Sequence, residues 1–398
     1  MFVLEALLVV ILIYIIIAGV YQLFLALSYF VTKNIKSPEN IYNNKFAIIV
    51  PAHNEELLIG QFCESILNVS YDKTDYDIYI IADNCNDKTV DICSAYKVNV
   101  MSRVNKDNRG KGYALEWAIE QINIENYDSI LVLDADTTVN PSILIELNKA
   151  LNNGEQAIQC YIDVPNRHET WFTQLIYLSR TINDHLYHSA KNKLGLSSYL
   201  MGTGMCFHKK LLKKMKWGAF SLSEDWEYYA KLIEENYRVA FAENAIILQM
   251  ESNSLSQATS QRLRWASGRF YVVKSLGFKL LIKGLLQKNV VMADASLALL
   301  LPNWSLQVNL ILLVLITSLF LPSSNISHGI FLISSMLVIL QGIIVLLGLT
   351  LVDNPYAVLK AIIRAPVFLV WKLVIDFACI TGLYKGKEWI RTKRHIPK

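Results

Sequence analysis

The longest apolar run of the chain lies at its beginning, and it limits what the chain can fold into. Residues Phe2 to Val31 are interrupted only by Glu5 and Gln22. This run exceeds the roughly 20 apolar residues that a helix needs to cross a bilayer. It lacks the basic start and the small-residue cleavage site of a secretory signal. The sequence therefore predicts a retained transmembrane helix over residues 1–32.

Apolar residues concentrate again after residue 289, within a chain of 398 residues that is 53% hydrophobic. Two further transmembrane helices are predicted at about 304–321 and 330–352. Residues 290–301 are interpreted as an interfacial helix. The segment 355–383 is also apolar, but its charges favour an amphipathic surface helix over a fourth span. Residues 290–384 are thus predicted to form a C-terminal membrane region. The charges in question are Lys360, Arg364, Lys372 and Asp376.

Basic residues flank these apolar segments. Lys33, Lys36 and Lys45 follow the first run, and residues 385–398 form a basic tail. By the positive-inside tendency, the central domain and this tail are predicted to be cytoplasmic, in an integral protein of the plasma membrane. The formal charge of +4 is too mild to indicate a nucleic-acid partner. The six cysteines contain no CxxC pair, which is typical of a reduced protein without a structural metal.

Strand and helix patterns alternate through the central part, residues 45–275. Strands are predicted at 46–50, 77–82 and 130–133, with 99–101 as a further candidate, and helices at 89–96 and 112–121. A helix with an acidic first turn is also expected to open directly after Pro51. Alternating units of this length predict an α/β fold with a mostly parallel sheet and helices on both faces.

The strand at 130–133 is followed by two carboxylates, Asp134 and Asp136. Its four branched apolar residues are typical of a strand buried on both faces. Alternate residues of an extended segment share a side, so both carboxylates can face one divalent cation or one ligand. The alternative is a strand that ends in a solvated acidic turn.

Other polar loops leave the same predicted edge of the sheet, where ligands of open α/β sheets bind. Asp83 can accept hydrogen bonds from a nucleobase or ribose, while Arg109 and Lys111 can meet phosphate charge. This combination indicates nucleoside-diphosphate chemistry. The sequence lacks both G-x-x-x-x-G-K-[ST] and G-x-G-x-x-G, which disfavours P-loop and dinucleotide-binding proteins. Asp83 and Asp87 could instead cap the helix that begins near Thr89.

Seven short motifs then occur in a characteristic order. They are Pro51-Ala52-His53-Asn54-Glu55-Glu56, Ala82-Asp83-Asn84-Cys85-Asn86-Asp87, Gly110-Lys111-Gly112, Asp134-Ala135-Asp136, Gly202-Thr203-Gly204, Ser223-Glu224-Asp225 and Gln261-Arg262-Leu263-Arg264-Trp265. In this order they resemble membrane-bound family 2 glycosyltransferases of GT-A fold. The chain is similar to the cellulose, chitin, hyaluronan and poly-N-acetylglucosamine synthase group over about residues 45–270. It departs from the family pattern at Ser223, Met205 and the loop from Ala82 to Cys85.

The resemblance implies a role for each matching position. The nucleoside would be held by Asn54, Glu55 and Asp83, with Lys111 near it or the diphosphate. Asp134 and Asp136 would correspond to the Asp-x-Asp pair, with Asp136 the nearer to a bound Mg²⁺ or Mn²⁺. The acceptor end would be lined by Gly202, Thr203 and Gly204, with Glu224 also in the substrate-binding set. Asp225 would be the general base, and Gln261, Arg264 and Trp265 would hold the diphosphate and seat the acceptor sugar.

Each of these roles has a simpler alternative. A sugar hydroxyl needs a carboxylate to take its proton, which favours Asp225 as base, but Ser223 could merely cap a helix over 224–234 whose first turn is acidic. Arg264 and Trp265 suit a phosphate and a sugar face, or else a helix on the membrane surface. The glycines at 202 and 204 could form an ordinary tight turn.

The sequence thus predicts an inverting transfer from a nucleotide-sugar, with a UDP-sugar expected, to a growing β-linked poly- or oligosaccharide at the membrane. One alternative is transfer of a single sugar to a lipid acceptor such as polyprenyl phosphate or a glycolipid. Another is a non-catalytic, nucleotide-binding membrane scaffold. Three predicted spans are few for a private polysaccharide channel, so an export partner or a homo-oligomer is a further expectation, besides contact with membrane lipids.

Overall fold

The structure, a computed structural model, describes residues 2–33, 38 and 41–384. Lys36 and the predicted basic tail at 385–398 lie outside the described residues. The strands are β1 (Phe46–Ala52), β2 (Tyr76–Asp83), β3 (Asn99–Arg103), β4 (Ser129–Val132), β5 (Thr137–Val139), β6 (Ala157–Asp163), β7 (Met205–His208) and β8 (Ala240–Gln249). The first nine helices are α1 (Phe2–Val31), α2 (Ile59–Leu67), α3 (Thr89–Ser94), α4 (Lys111–Gln121), α5 (Ile143–Asn152), α6 (Trp171–Thr181), α7 (Ala190–Lys193), α8 (Lys209–Lys214) and α9 (Glu224–Glu234). The later helices are α10 (Leu255–Val272), α11 (Phe278–Leu286), α12 (Val290–Leu300), α13 (Trp304–Ser318), α14 (Asn325–Leu349), α15 (Pro355–Ile362) and α16 (Ala365–Ile380).

The eight strands form one sheet in the order β3-β2-β1-β4-β7-β6-β8-β5. The half from β3 to β4 is parallel, as the alternating pattern predicts. The other half is mixed, because β7 runs antiparallel to both β4 and β6, and β5 runs antiparallel to β8. The predicted α/β class is confirmed, and because β6 also pairs parallel with β8, four of the seven strand pairings are parallel.

Apolar side chains of alternate strand residues pack on helices at both faces of the sheet, as predicted. Phe46, Ile48 and Val50 of β1 belong to a core that includes residues of α2 and α5. Ala47 and Ile49 of the same strand point the other way, into a core shared with α4 and α9. A strand covered on both faces carries an unbroken apolar run, which is why β1 and β4 were recognisable.

The helix expected directly after Pro51 does not form there. Helix α2 begins only at Ile59 and has no acidic residue in its first turn. Tertiary contacts hold the intervening loop instead, since Asn54 adopts a left-handed φ of 56° and its backbone amide meets the Cys85 sulfur at 3.4 Å. The acidic residues of this loop therefore lie beside the sheet edge and not on a helix.

Two helices are long and apolar enough to cross a membrane within the described ranges, at Val3–Val31 and Asn325–Leu349. Helix α13 alone has 15 residues, a rise of only about 22 Å. A third crossing forms only if α12 and α13, which meet at 66°, act as one broken span. The predicted amphipathic segment 355–383 contains two helices, α15 and α16, and neither is a candidate span on its own.

The predicted domain limit at residue 275 falls inside a continuous helical stretch. Helix α10 runs through a π-helical turn at Val273–Gly277 into α11. The central domain and the C-terminal helices are therefore joined by helix and not by a linker.

Candidate active site

A single cleft of about 1860 Å³ runs from the carboxyl ends of β1, β2 and β4 to helices α10, α14 and α16. Twelve of the fourteen residues proposed from the sequence line it. They are Asn54, Glu55, Asp83, Lys111, Asp134, Asp136, Gly202, Glu224, Asp225, Gln261, Arg264 and Trp265. The remaining two, Thr203 and Gly204, are buried directly behind its wall. The structure thus brings together acidic residues that are far apart in the sequence, while the role of each remains a prediction.

Lys111, at the start of α4, lines this cleft and contacts several of its other residues. Its ammonium donates to Oδ1 of Asp134 and, over 2.9 Å, to the carbonyl of Gly202. It also lies 3.9 Å from a carboxylate oxygen of Glu224. Burial alone would lower the pKa of Lys111, but Asp134 and Glu224 outweigh it, so the pKa lies above its ordinary value. Lys111 is therefore the cation that holds three loops of the site together.

Asp225 and Glu224 begin α9 and face into the cleft. Burial, followed by repulsion from Glu224, raises the pKa of Asp225 to about 7. Burial also raises the pKa of Glu224, against the attraction of Lys111. Ser223 precedes the helix at the cap position, but its side chain makes no capping hydrogen bond. A carboxylate with a pKa near neutrality is suited to accept a proton under physiological conditions.

The loop that contains Gly202 and Gly204 packs so closely on its neighbours that side chains at these positions are restricted. Gly202 and Gly204 both have left-handed backbones, with φ of 82° and 69°. A Cβ atom on Gly204 would lie 2.3 Å from Ile247, so only glycine fits there. Buried Gln159 clamps the loop, donating to the Thr203 carbonyl at 2.8 Å and accepting from the Met201 amide at 2.9 Å. The hydroxyl of Thr203 in turn accepts from the Asp134 amide at 3.0 Å, which ties this loop to the Asp-x-Asp segment.

Asp83, at the end of β2, is held by a neighbouring strand. Nη1 of Arg103 donates to Oδ1 of Asp83 at 2.6 Å, and both residues are buried. The side chain of Asn84 donates to the same oxygen at 3.0 Å. The orientation of Asp83 is thus fixed by contacts within the protein, which are made through Oδ1.

The segment after β1 is fixed against the segment after β2. The side-chain oxygen of Asn54 accepts from the Asn86 amide at 2.8 Å, and the amide of Glu55 donates to Thr89 at 2.8 Å. The two loops therefore form one rim of the cleft. Asp87 accepts from the Thr89 amide, the first of α3, at 3.0 Å, although the cap position itself is Lys88, which makes no side-chain capping bond. Asp83 pairs with Arg103 and does not cap this helix.

Helix α10 lines the cleft on the side of the C-terminal helices and carries Gln261, Arg264 and Trp265. Arg262, on the same helix, donates to Glu251 at 2.6 Å and lies 4.6 Å from the Trp265 ring centroid. The sequence also allowed a surface helix with Arg262 and Arg264 toward lipid headgroups, but the contacts of Arg262 are internal to the protein. Glu251 and Arg262 instead fix the position of Trp265 at the cleft.

The side chains of the Asp-x-Asp segment could coordinate a divalent cation only together with atoms of a bound ligand. Asp134 and Asp136 offer carboxylate oxygens on one rim, which Mg²⁺ and Mn²⁺ prefer. Across the described parts of the chain, no group of three or more His, Cys, Asp or Glu side chains could hold a metal. The two residues fit the ion as a partial set, and oxygens of a bound diphosphate and water would supply the rest.

Several residues of the site escaped the sequence analysis. Arg103, Gln159 and Glu251 act from behind the cleft, and Arg180 and Lys372 line it. Their partners lie 20 or more positions away in most cases, as with Arg103 and Asp83. The sequence offered little to predict them. The role of a buried cation at a strand end, such as Arg103, can be inferred only once the order of the strands in the sheet is known.

Residues 43–268 match the profile of a protein family described as "Glycosyltransferase like family 2". The β-monoglucosyldiacylglycerol synthase of Trichormus variabilis is 23% identical over 231 residues, covering 56% of this chain and 48% of that protein. The poly-β-1,6-N-acetyl-D-glucosamine synthase of Staphylococcus epidermidis is 24% identical over 268 residues, covering 64% and 62%. The chain spans about half the length of the first curated relatives that it matches.

Among solved structures, a mannosyltransferase from Pyrobaculum calidifontis in complex with GDP-Man and Mn²⁺ has the same fold. The TM-score is 0.60 at 15% identity, over 94% of this chain and 99% of that chain. The similarity therefore extends beyond the sheet to the C-terminal helices. It confirms the predicted GT-A-like fold.

Proposed function

This chain belongs to glycosyltransferase-like family 2, and on that premise we propose that it transfers a sugar with inversion from a nucleotide-sugar to a hydroxyl group of a membrane-associated saccharide. The observation that carries the proposal is the convergence of Lys111, Asp134 and Asp225 in one cleft. Two relatives of similar identity differ in the acceptor that their names indicate, one a polysaccharide and one a diacylglycerol lipid. The family therefore supports the reaction class, and the acceptor has to be argued from the site.

The proposed step is a single displacement. The acceptor oxygen forms a bond to the anomeric carbon, the bond from that carbon to the nucleoside diphosphate breaks, and the hydroxyl proton moves to Asp225. The raised pKa of Asp225, about 7, supports its assignment as the base. Attack from the side opposite the leaving diphosphate inverts the anomeric centre, which makes a β-linked product from an α-linked donor.

The contacts of Asp83 support uridine as the donor nucleoside. Its Oδ1 already accepts two hydrogen bonds, from Arg103 and Asn84, so the lone pairs of that oxygen are occupied. Oδ2 can accept the single N3–H of uracil. Guanine presents two adjacent donors, N1–H and the N2 amino group, which call for both oxygens of a carboxylate. The pair of Asp83 and Arg103 thus favours a UDP-sugar.

Asp134 and Asp136 would hold Mg²⁺ or Mn²⁺ against the donor diphosphate. Such an ion neutralises negative charge that develops on a departing diphosphate. The cation of Lys111, already beside Asp134, adds positive charge at the same place. Arg264 lines the neighbouring wall and is assigned to the diphosphate as well.

The membrane setting supports an acceptor held near a lipid surface. Helices α1 and α14 are the candidate spans, and the cleft reaches residues of both. We propose that the central domain is cytoplasmic, in the plasma membrane. An export partner or homo-oligomer remains part of the proposal if the product is a polysaccharide.

The test is a donor panel. Purified full-length protein in detergent is incubated with UDP- and GDP-sugars, Mg²⁺ and lipid extract, and the products are identified by mass spectrometry and by the anomeric configuration of the new bond. Release of UDP together with a β-linked product supports the proposal. An α-linked product, or no turnover of any nucleotide-sugar, contradicts it.

A further inference from the structure

Beyond the donor site, the cleft continues between α6, α10 and α16 past a second group of cations. Arg180, Arg262 and Lys372 line this part. Helices α6 and α16 carry none of the sequence motifs through which the family was recognised. The proposed function does not use these cations, although the side chain of each is 16% exposed toward the cleft.

The carboxylates that balance these cations stand behind them. Glu251 accepts from Arg180 at 3.2 Å through one oxygen and from Arg262 at 2.6 Å through the other, and its side chain is only 4% exposed. Asp376 accepts from Lys372 at 2.6 Å and is fully buried. Neither carboxylate lines the cleft. The surface that a ligand meets is therefore cationic, while the carboxylates of Glu251 and Asp376 are buried behind it.

These cations also have hydrogen-bonding capacity to spare. A guanidinium has five N–H donors, and Glu251 uses only one nitrogen of each arginine. Within the described residues, the Nε atom of Arg262 is buried and has no hydrogen-bond partner. Lys372 lies within electrostatic range of Arg262 and Arg269, so like charges crowd this wall. Crowded cations with unused donors suit an anion with several oxygens, and a phosphate has that form.

Another part of the cleft is apolar. Leu178 and Ile182, on either side of Arg180 in the sequence, line the cleft, and so do Val345, Ile362 and Phe368 of α14, α15 and α16. Besides the carboxylates of the proposed catalytic site, the same cleft thus has a cationic wall and apolar walls that include the C-terminal helices. A ligand that fits these surfaces has a sugar hydroxyl, a phosphate and a hydrocarbon chain.

We propose that the acceptor is lipid-linked, and that the cationic wall of Arg180, Arg262 and Lys372 binds the phosphate or diphosphate that joins its saccharide to a hydrocarbon chain. This inference rests on the proposed function, since it assigns the acceptor of the same reaction. The phosphate fixes the lipid between the apolar walls and leaves the saccharide toward Asp225. Arg180, Arg262 and Lys372 are then positioning residues for the acceptor and take no part in the displacement.

The test compares farnesyl phosphate with two probes that lack one of its two groups. Farnesol lacks the phosphate, and inorganic phosphate lacks the hydrocarbon chain. Full-length protein in nanodiscs of neutral lipid is saturated with UDP and Mg²⁺, so that donor contacts are occupied. Binding of farnesyl phosphate, farnesol and inorganic phosphate is then measured by tryptophan fluorescence. Farnesyl phosphate is expected to bind at least about tenfold more tightly than either partial probe, because charged hydrogen bonds and apolar burial both contribute. Equal binding of farnesol, or equal binding of inorganic phosphate, would overturn the inference.

Substitution separates this site from its surroundings. Arg180→Gln removes one cation while Glu251 keeps Arg262, and it is expected to weaken farnesyl phosphate binding by about tenfold. Arg167→Gln is the matched control, since Arg167 also pairs with a carboxylate, Asp163 at 2.6 Å, but does not line the cleft. Equal losses in the two variants would contradict a phosphate site at Arg180. UDP affinity of the wild-type protein, measured on the same samples, tests the donor site. Wild-type protein that binds UDP but not farnesyl phosphate would therefore count against this inference alone.

Discussion

Gly268 of α10 lies against Ser223, so closely that a Cβ atom on the glycine would be 2.0 Å from the serine oxygen and 2.8 Å from its Cβ. Ser223 immediately precedes Glu224 and Asp225, and Gly268 follows Trp265 by less than one helical turn. The absence of a side chain at position 268 therefore sets the distance between the helix that carries Arg264 and the proposed catalytic base.

We expect Gly268→Ala to separate these two helices. Overpacking of this kind destabilises a protein by about 1–3 kcal/mol, and turnover is expected to fall by more than the loss of folded protein explains. Thermal unfolding and turnover are measured together. Gly329→Ala is the control, because a Cβ atom at that position meets nothing within 4 Å. A Gly268→Ala protein with wild-type turnover would show that the spacing of α9 and α10 is irrelevant to the reaction.

The pH dependence of the reaction follows from the pKa of Asp225, which is about 7. A general base must be deprotonated, so kcat/KM is expected to fall as the pH decreases through 7 and to level off above it. Lys111 lowers the pKa of Asp225 by its charge. In Lys111→Gln the pH at which kcat/KM falls, the acidic limb of the pH profile, should therefore be higher. The overall rate should also decrease. A limb that stays in place, or moves to lower pH, contradicts the assignment of Asp225.

Much of this site was predictable from the sequence because its parts are local. The carboxylates Asp134 and Asp136 follow an apolar strand directly, and parallel strands bring their carboxyl ends to one edge. The loop after Pro51 was predicted as helix because its composition favours one, whereas contacts of Asn54 with residues 31 and 32 positions away hold it open. Glu251 and Lys372 could not be assigned, since their roles depend on how α6, α10 and α16 pack.

Arg103 is expected to govern the choice of nucleoside. In the wild type, UDP should bind more tightly than GDP, because Arg103 and Asn84 occupy one oxygen of Asp83. Arg103→Gln frees that oxygen in part, and the ratio of GDP to UDP dissociation constants should fall toward one. Isothermal titration with both nucleotides measures this ratio. Arg238→Gln, which alters a pair with Glu155 outside the cleft, should leave the ratio unchanged. Preference of the wild type for GDP would refute the proposed role of Asp83.

Metal dependence should be centred on the Asp-x-Asp pair. Chelation by EDTA is expected to abolish turnover, and Asp136→Asn to raise the Mg²⁺ concentration for half-maximal activity by about tenfold or more. Binding of Mn²⁺, followed by electron paramagnetic resonance in the presence of UDP, gives a readout that does not depend on turnover. The exposed Asp91, on α3, provides the control substitution Asp91→Asn. Full turnover in EDTA would exclude a required divalent ion.

The most direct test of the account is nucleoside diphosphate release by Asp225→Asn with the best donor of the panel. Loss of a general base is expected to reduce the rate by about 10²–10⁴-fold, while donor affinity and thermal unfolding stay close to those of the wild type. Release at the wild-type rate by a folded Asp225→Asn protein that still binds donor would contradict sugar transfer through this carboxylate.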